Sequence, residues 1–497
     1  MQEIELKLQV PAEQADAIDA AVAGSSRARR VRLVATYWDT PERDLAAARI
    51  GLRVRREGRQ WVQTLKAASS DGITRFEHSV PLSAGGAPVA DPTLHAGTRV
   101  GDRLLALLAE RPDATLVPQY TTEVLRRRRE MQVPGGRIEL AFDRGTIAAG
   151  DAIVPVRELE IELVSGAPLA VIETARRWTA KYGLWLDSTS KSHRGVLLAR
   201  GDLESPPTGA VSASLSHELS GDAAVREMVR ACLQQVLANA SDLAGGFGGV
   251  EHVHQLRVGI RRLRTALRVF GDLSPRANPE WDPRLAAVSL ELGASRDRDV
   301  LTTTWLPQIV TAGGPDIALA QLTAAADADA SDVARSTAFS LLMLELLRFT
   351  HEPAEARQAD DLPLGEIVAL RLQRLRRSVV GGSKRFAAAE EEQQHTVRKR
   401  LKRLRYSAEL TTDLFTRKDV RRFLSTLQPA QDALGEINDL SVARSMFRAQ
   451  TQTDPQAWFA VGWLSAKREE AVQHSARALH SVAKAKPYWP RHIDMGS

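Results

Sequence analysis

Residues 1–10 read MQEIELKLQV. Glu3, Glu5 and Lys7 alternate with Ile4, Leu6 and Leu8, a period of two that predicts a β-strand with one apolar and one charged face. The same pattern recurs to about residue 200. IGLRVRRE (50–57), RQWVQTLKA (59–67), TRFEHSV (74–80), RIELAFD (137–143) and VRELEIELV (156–164) all alternate, punctuated by Gly, Pro and Asp. A mostly antiparallel β domain is expected there. Helices are expected at PAEQADAIDAAVAG (11–24), VGDRLLALLAERP (100–112) and APLAVIETARRWTAKYG (167–183).

On a strand, residues of one parity share a face. Arg53 with Arg55, Glu158 with Glu160 and Glu162, and Arg75 with Glu77 therefore line charged faces, and Lys66 ends another strand. If these strands curl with helices packed outside, the charged faces turn inward around a lumen. Arg and Lys there suit a polyanion. Carboxylates among them suit a hard cation such as Mg²⁺ or Mn²⁺, which bridges phosphate oxygens.

The 497 residues are too many for one core, and 43% hydrophobic with 26% charged residues is ordinary globular composition. The net charge of +6 directs attention to anionic partners. A single cysteine, Cys232, excludes an internal disulfide and fits a cytoplasmic protein. The most apolar run, STAFSLLMLELLRF (336–349), is broken by Glu345 and reads as a buried helix, so no membrane partner is expected. No signal peptide is read at the start.

GDLESPPTGAVSAS (201–214) reads as a linker. Beyond it the period changes to 3.6 and strand signals fade. HQLRVGIRRLRTALRVF starts at His254 and HTVRKRLKRLRYSAELTT at His395, an offset of 395 − 254 = 141 residues. LGASRDRDV (292–300) and LGEINDLSV (434–442) follow the two histidines at nearly equal distance. Two helical halves with one plan are expected. In each, His254, Arg257, Arg261 and Arg264, or His395, Arg398, Lys402 and Arg405, step by three and four along one helix face. Arg262 and Arg403 match at the same offset. No aromatic residue interleaves the stripes, which argues against nucleic acid.

The opening EIELK resembles the ExExK signature of the CYTH superfamily of triphosphate tunnel metalloenzymes. The resemblance continues in order through TYWDT (36–40), LRVR (52–55), QTLK (63–66), TRFE (74–77), ELAFDRG (139–145), RELEIEL (157–163) and STSKSHRG (188–195). It implies an α+β fold whose N-terminal part, residues 1–200, is an eight-stranded antiparallel β-barrel tunnel with flanking helices. It also implies a metal-dependent inorganic triphosphatase acting on tripolyphosphate. Glu3, Glu5, Asp143, Glu158, Glu160 and Glu162 would bind Mg²⁺ or Mn²⁺. Lys7, Arg53, Arg55, Lys66, Arg75, Arg126 and Lys191 would clamp phosphates. Thiamine triphosphatase and adenylate cyclase are the other activities of such tunnels.

The region 213–490, after a linker at 201–212, resembles the CHAD domain in VHQLRVGIRRLR (253–264), LGASRDRDVL (292–301), HTVRKRLKRLRY (395–406) and LGEIND (434–439). That resemblance implies an all-α domain of two pseudo-symmetric helical bundles that binds long-chain polyphosphate through the two stripes. Association with polyphosphate granules, even with an idle tunnel, is the alternative reading.

Overall fold

The computed structural model describes residues 4–24, 28–48, 50–68, 75–83, 88–111, 113–202, 204–315 and 329–490, without the side chains of 67, 68, 75, 76 and 294–299. Glu3 and the side chain of Arg75 lie outside this description. The chain forms two compact units. One comprises 1–206 with 240–249 and 334–348, the other 207–239, 250–333 and 349–497.

The first unit is built on nine strands: β1 (Glu5–Gln9), β2 (Arg29–Asp39), β3 (Ile50–Glu57), β4 (Gln60–Ala68), β5 (Arg75–Leu82), β6 (Val117–Val133), β7 (Gly136–Ala149), β8 (Ala152–Gly166) and β9 (Trp185–Leu186). Their order is β5-β4-β3-β2-β6-β7-β8-β1-β9, with every neighbouring pair antiparallel. The expected eight-stranded barrel is thus corrected to a curled nine-stranded sheet. Among the described residues its ends, β5 and β9, do not pair. The reason is local: β9 pairs through only two residues, and the chain then turns into a helix rather than a closing strand.

Helices α1 (Ala15–Ala23), α2 (Asp44–Ala47), α3 (Arg99–Ala109), α4 (Leu169–Tyr182) and α5 (Lys191–Arg200) accompany the sheet. Leu8, Leu140, Phe142, Leu159 and Ile161 pack outward with Ile18 and Val22 of α1 and Val171 and Ala175 of α4. Leu344 of the apolar run 336–349 joins this core. Leu52, Val54 and Leu65 pack outward with Val100 and Leu104 of α3. Burying one full side chain of this kind contributes about 1.5–3 kcal/mol, so alternation fixes which parity faces the helices and leaves the charged parity on the concave face.

The concave face is not charged throughout. Leu33, Ala35, Tyr37, Tyr120, Val124, Ile147 and Val156 form an apolar half there, covered by Val196, Leu198 and Ala199 of α5. Helix α5 lies against the sheet because Gly195 has no side chain: a Cβ there would stand 2.2 Å from the Tyr120 ring. The Tyr120 phenol meets Ser192 at 2.9 Å (Oγ) and 3.0 Å (backbone O).

The second unit is helical in its described residues. The two histidine helices are Val250–Phe270 and Glu391–Leu410. Each packs against a following helix, Trp281–Val300 and Arg417–Gln450, that carries the matching LGxx motif. No helix among the described residues is long and apolar enough to cross a membrane.

Candidate functional site

Register places the charged residues of the first unit in rows across the strands. Glu5 stands opposite Glu162 and Lys7 opposite Glu160; Gln9 pairs with Glu158, Glu158 with Asp143, and Asp143 with Arg126. Arg53 stands opposite Tyr37 and Thr64, Arg55 opposite Ala35 and Val62, and Lys66 opposite Glu77. The concavity therefore has an acidic wall on β7, β8 and β1 and a basic wall on β3 and β4.

The acidic wall is occupied by built-in cations. Arg126 holds Asp143 with two hydrogen bonds of 2.7 Å and reaches Glu160 at 2.6 Å. Lys191, the first residue of α5, lies 2.7 Å from Glu160 and 2.9 Å from Asp143 and also contacts Glu158. Arg194, one turn on, contacts Glu158, as does Gln9 at 3.1 Å. Ser190 caps α5 by accepting from the His193 N–H at 3.1 Å, which sets the helix start and so aims Lys191. Burial raises the proton affinity of Glu160, but Lys191 and Arg126 outweigh it and hold the carboxyl well below the usual range. At Glu158 burial prevails over Lys191 and Arg194 and pushes the carboxyl up.

The basic wall is differently balanced. Arg55 pairs with Glu57, and Lys66 with Glu77 at 2.6 Å; both acids are partly exposed. Arg53 has only the Tyr37 hydroxyl, at 3.5 Å, as a hydrogen-bond partner among the described residues. Its Nε is buried with no partner, as is that of Arg55. Tyr37 stacks on Tyr120 with ring centroids 4.5 Å apart. A buried guanidinium with so little compensation is costly unless an anion arrives.

In the second unit the two stripes converge. Lys402 is buried beside Arg398, Arg261 and Arg257, with Asp439 the acid nearest in effect. Burial and these like charges push its ammonium down to about 6. The Nε atoms of Arg261 and Arg398 are buried without hydrogen-bond partners.

Two family models match the chain: the CYTH domain over residues 1–196 and the CHAD domain over 227–448. The chain is a CYTH domain followed by a CHAD domain. A curated relative, the inorganic triphosphatase of Haemophilus influenzae, is 31% identical over 166 residues. That match spans 33% of this chain and 45% of the relative, less than half its length. Among solved structures, the CHAD domain from the plant Ricinus communis is 27% identical, covering 57% of this chain and 99% of that one with a TM-score of 0.48. A Hippeastrum protein whose structure revealed a dominant triphosphatase activity is 18% identical, covering 40% of this chain and 96% of that one with a TM-score of 0.29.

Within the CYTH domain, Lys7, Arg53, Arg55, Lys66, Arg126, Lys191, Glu5, Asp143, Glu158, Glu160 and Glu162 all lie on the concave side. Three of them stand otherwise than expected. Asp143 and Glu158, read as metal ligands, have both oxygens taken by Arg126, Lys191, Arg194 and Gln9. Lys191, read as a phosphate clamp, faces three carboxylates. Sequence reasoning missed Gln9, Tyr37 and Arg194. Gln9 and Tyr37 share the parity of Lys7 and of the inward face of β2, which could have found them; Arg194 shares a helix face with Lys191 at i, i+3.

In the CHAD domain four basic residues read as polyanion ligands have other partners or stand apart from the rest. Arg262 is fully buried and donates to Gln235 at 2.9 Å and to the Val211 carbonyl at 2.8 Å, so it holds helices together. Arg264 is paired with Asp282 at 2.8 Å and Arg405 with Glu409 at 2.7 Å. Arg403 stands off the Lys402 cluster, beside Arg268 and Asp282. Arg257, Arg261, Arg398 and Lys402 meet; His395 lies beside Arg398 and Lys402. His254 is half-buried on the same stripe.

The carboxylates present are oxygen donors of the kind Mg²⁺ and Mn²⁺ prefer. Among the described residues, however, no three acidic or histidine side chains are arranged to hold a metal ion.

Proposed function

We propose that the CYTH domain is an inorganic triphosphatase and that the CHAD domain binds long-chain polyphosphate. The observation that carries the first reading is the basic wall, above all the buried, undercompensated Arg53 guanidinium facing an acidic wall already neutralised by its own cations. A triphosphate placed along Arg53, Arg55 and Lys66 exchanges the exposed partners Glu57 and Glu77 for phosphate oxygens, gaining charge-assisted hydrogen bonds in a preorganised site. Phosphoryl transfer needs little covalent chemistry from the protein, so positioning and neutralisation of charge carry most of the rate. A divalent ion, when bound, would add neutralisation of the phosphate oxygens, and Glu5, opposite Glu162 on the neighbouring strand, is an oxygen donor of the kind it takes. The buried thiol of Cys232, pushed up to about 11, is no nucleophile. The apolar half of the concave face is filled by α5, which favours a bare phosphate chain over a nucleotide.

Phosphate release from tripolyphosphate, ATP and thiamine triphosphate, measured side by side with Mg²⁺ and with Mn²⁺, tests this. Tripolyphosphate should turn over fastest, and Glu5→Ala should lose the metal-stimulated part. Cyclic AMP as the chief product from ATP, or no release from any of the three, would sink the reading.

Polyphosphate binding rests on the meeting of Arg257, Arg261, Arg398 and Lys402 from the two stripes. It carries a pH signature. In the free protein Lys402 is mostly neutral above about 6; a bound polyanion favours its charged form and so takes up a proton. Affinity should therefore rise as pH falls from 9 towards about 6 and level off below that value. His395, whose proton affinity burial and its basic neighbours lower, acts only at the acid end. Calorimetry of the full chain with long-chain polyphosphate in buffers of different ionisation enthalpy counts the protons. Lys402→Met should abolish proton uptake at pH 8; unchanged uptake would contradict the assignment.

A further inference from the structure

Two stretches of the CHAD match, residues 240–249 and 334–348, belong to the same compact unit as the CYTH sheet. Leu344 joins the outer core of that sheet, Ser340 Oγ accepts from the Leu186 N–H at 3.4 Å, and Arg348 pairs with Glu173 of α4 at 3.1 Å. Arg335 donates to the Ala244 carbonyl at 2.8 Å and so ties the two stretches together.

The first stretch reaches the connection that leads into α5. There β9 pairs with β1 through Trp185 and Leu186, and the Asp187 N–H donates to the Lys7 carbonyl at 3.0 Å. Ser190 is already the cap of α5. Ser188 and Thr189 alone join the sheet to the helix. The Ser188 N–H donates to Ser241 Oγ at 2.8 Å, the two hydroxyls stand 3.0 Å apart, and the Thr189 hydroxyl reaches Asp242 at 3.4 Å. Ser241 and Asp242 are themselves buried, at 5% and 7% exposure. A connector this short has few soft torsions, so holding it from a third element fixes the direction in which the helix leaves the sheet. That direction decides where Lys191 and Arg194 of α5 meet Asp143, Glu158 and Glu160.

We infer that Ser241 and Asp242 are positioning residues for the triphosphate site, supplied from outside the CYTH match of residues 1–196. They hold the connector, and the connector aims α5. The inference rests on the reading of the concavity as a triphosphate site. The basic wall on β3 and β4 does not depend on the connector, so the effect belongs to turnover rather than to capture of the substrate.

The full chain is assayed with tripolyphosphate, melted, and followed by hydrogen exchange in peptides covering residues 186–195 and, as a control, 156–164. Ser241→Ala should speed exchange in the first peptide and leave the control unchanged. Its kcat should fall about threefold to tenfold, the size of one net hydrogen bond, while KM changes by less than about twofold. Ser241→Thr keeps the hydroxyl and should restore both exchange and kcat. A residue that only stabilises the fold would lower the melting temperature and leave kcat of the folded protein as it was. Should Ser241→Ala melt too low to assay, Thr189→Val removes a hydroxyl from the other side of the contact and should give the same pattern more weakly. Unchanged exchange in residues 186–195, or faster exchange with kcat untouched, would overturn the inference. A wild type that releases no phosphate would refute the triphosphatase reading instead, and exchange that quickens in Ser241→Ala would still support the hold on α5.

Discussion

Arg53→Ala should lower kcat/KM for tripolyphosphate by about 100-fold or more, the cost of removing one preorganised charged donor from a water-poor site. It should do so without destabilising the CYTH domain. The guanidinium is buried, its Nε has no partner, and its one hydrogen bond, to the Tyr37 hydroxyl, is long at 3.5 Å. Deleting an undercompensated buried charge removes a desolvation cost, so the melting temperature should hold or rise although some packing is lost. A residue kept for the fold behaves in the opposite way, with lower stability and activity lost only in proportion. Lys66→Ala should be milder, because Lys66 and its partner Glu77 are both partly exposed. Steady-state kinetics and thermal melts of the two variants check this. Near-normal kcat/KM in Arg53→Ala would remove the basic wall from the mechanism.

The second large effect is expected from a single methyl group. Gly195→Ala brings a Cβ to 2.2 Å from the Tyr120 ring, so α5 must shift or the Tyr37–Tyr120 stack must open. Overpacking of this kind costs about 1–3 kcal/mol. The functional loss should be larger than the stability loss, because α5 carries Lys191 and Arg194 into the acidic wall. Displacing them leaves Asp143, Glu158 and Glu160 short of positive charge. Activity should fall at least tenfold, the factor that about 1.4 kcal/mol represents. Tyr120→Leu in the Gly195→Ala background should recover most of the stability and part of the activity. Failure of that rescue, with the single variant as active as wild type, would show that the docking of α5 is not needed for turnover.

Much of the site was legible from strand parity. Arg53, Arg55, Glu160 and Glu162 share the parity of residues whose neighbours Leu52, Val54, Leu159 and Ile161 are apolar, and those neighbours do pack on the helices. Parity misleads where the apolar face is the concave one. In β2 the apolar positions Val31, Leu33, Ala35 and Tyr37 point inward and Arg30 and Arg32 outward, the reverse of β3, because α5 covers this half of the concavity. STSKSHRG reads as a motif, but its second half opens a helix only ten residues long, and that helix decides where Lys191 and Arg194 point.

The helical half divides in the same way. The spacing of His254, Arg257, Arg261 and Arg264, repeated 141 residues later, was enough to expect two helices of one plan. It could not separate ligand from scaffold. Arg262 is buried between helices, Arg264 faces Asp282, and Arg261 meets Lys402 from the other repeat. A helical period states which side chains share a face; it does not state which acid the next helix brings opposite them.

By itself, then, the sequence determined the two-domain order, the strand faces and the basic stripes, because these depend on local periodicity and composition. The tertiary structure alone decided which charges are compensated. Compensation depends on what stands within about 3 Å, where a charge-assisted bond is strong, and those neighbours come from residues far apart in the chain: Lys191 with Asp143, Arg126 with Glu160. For that reason Arg53 and Lys191, both basic and both inward, differ: the first has one long hydrogen bond to a hydroxyl and a buried Nε without a partner, the second holds three carboxylates.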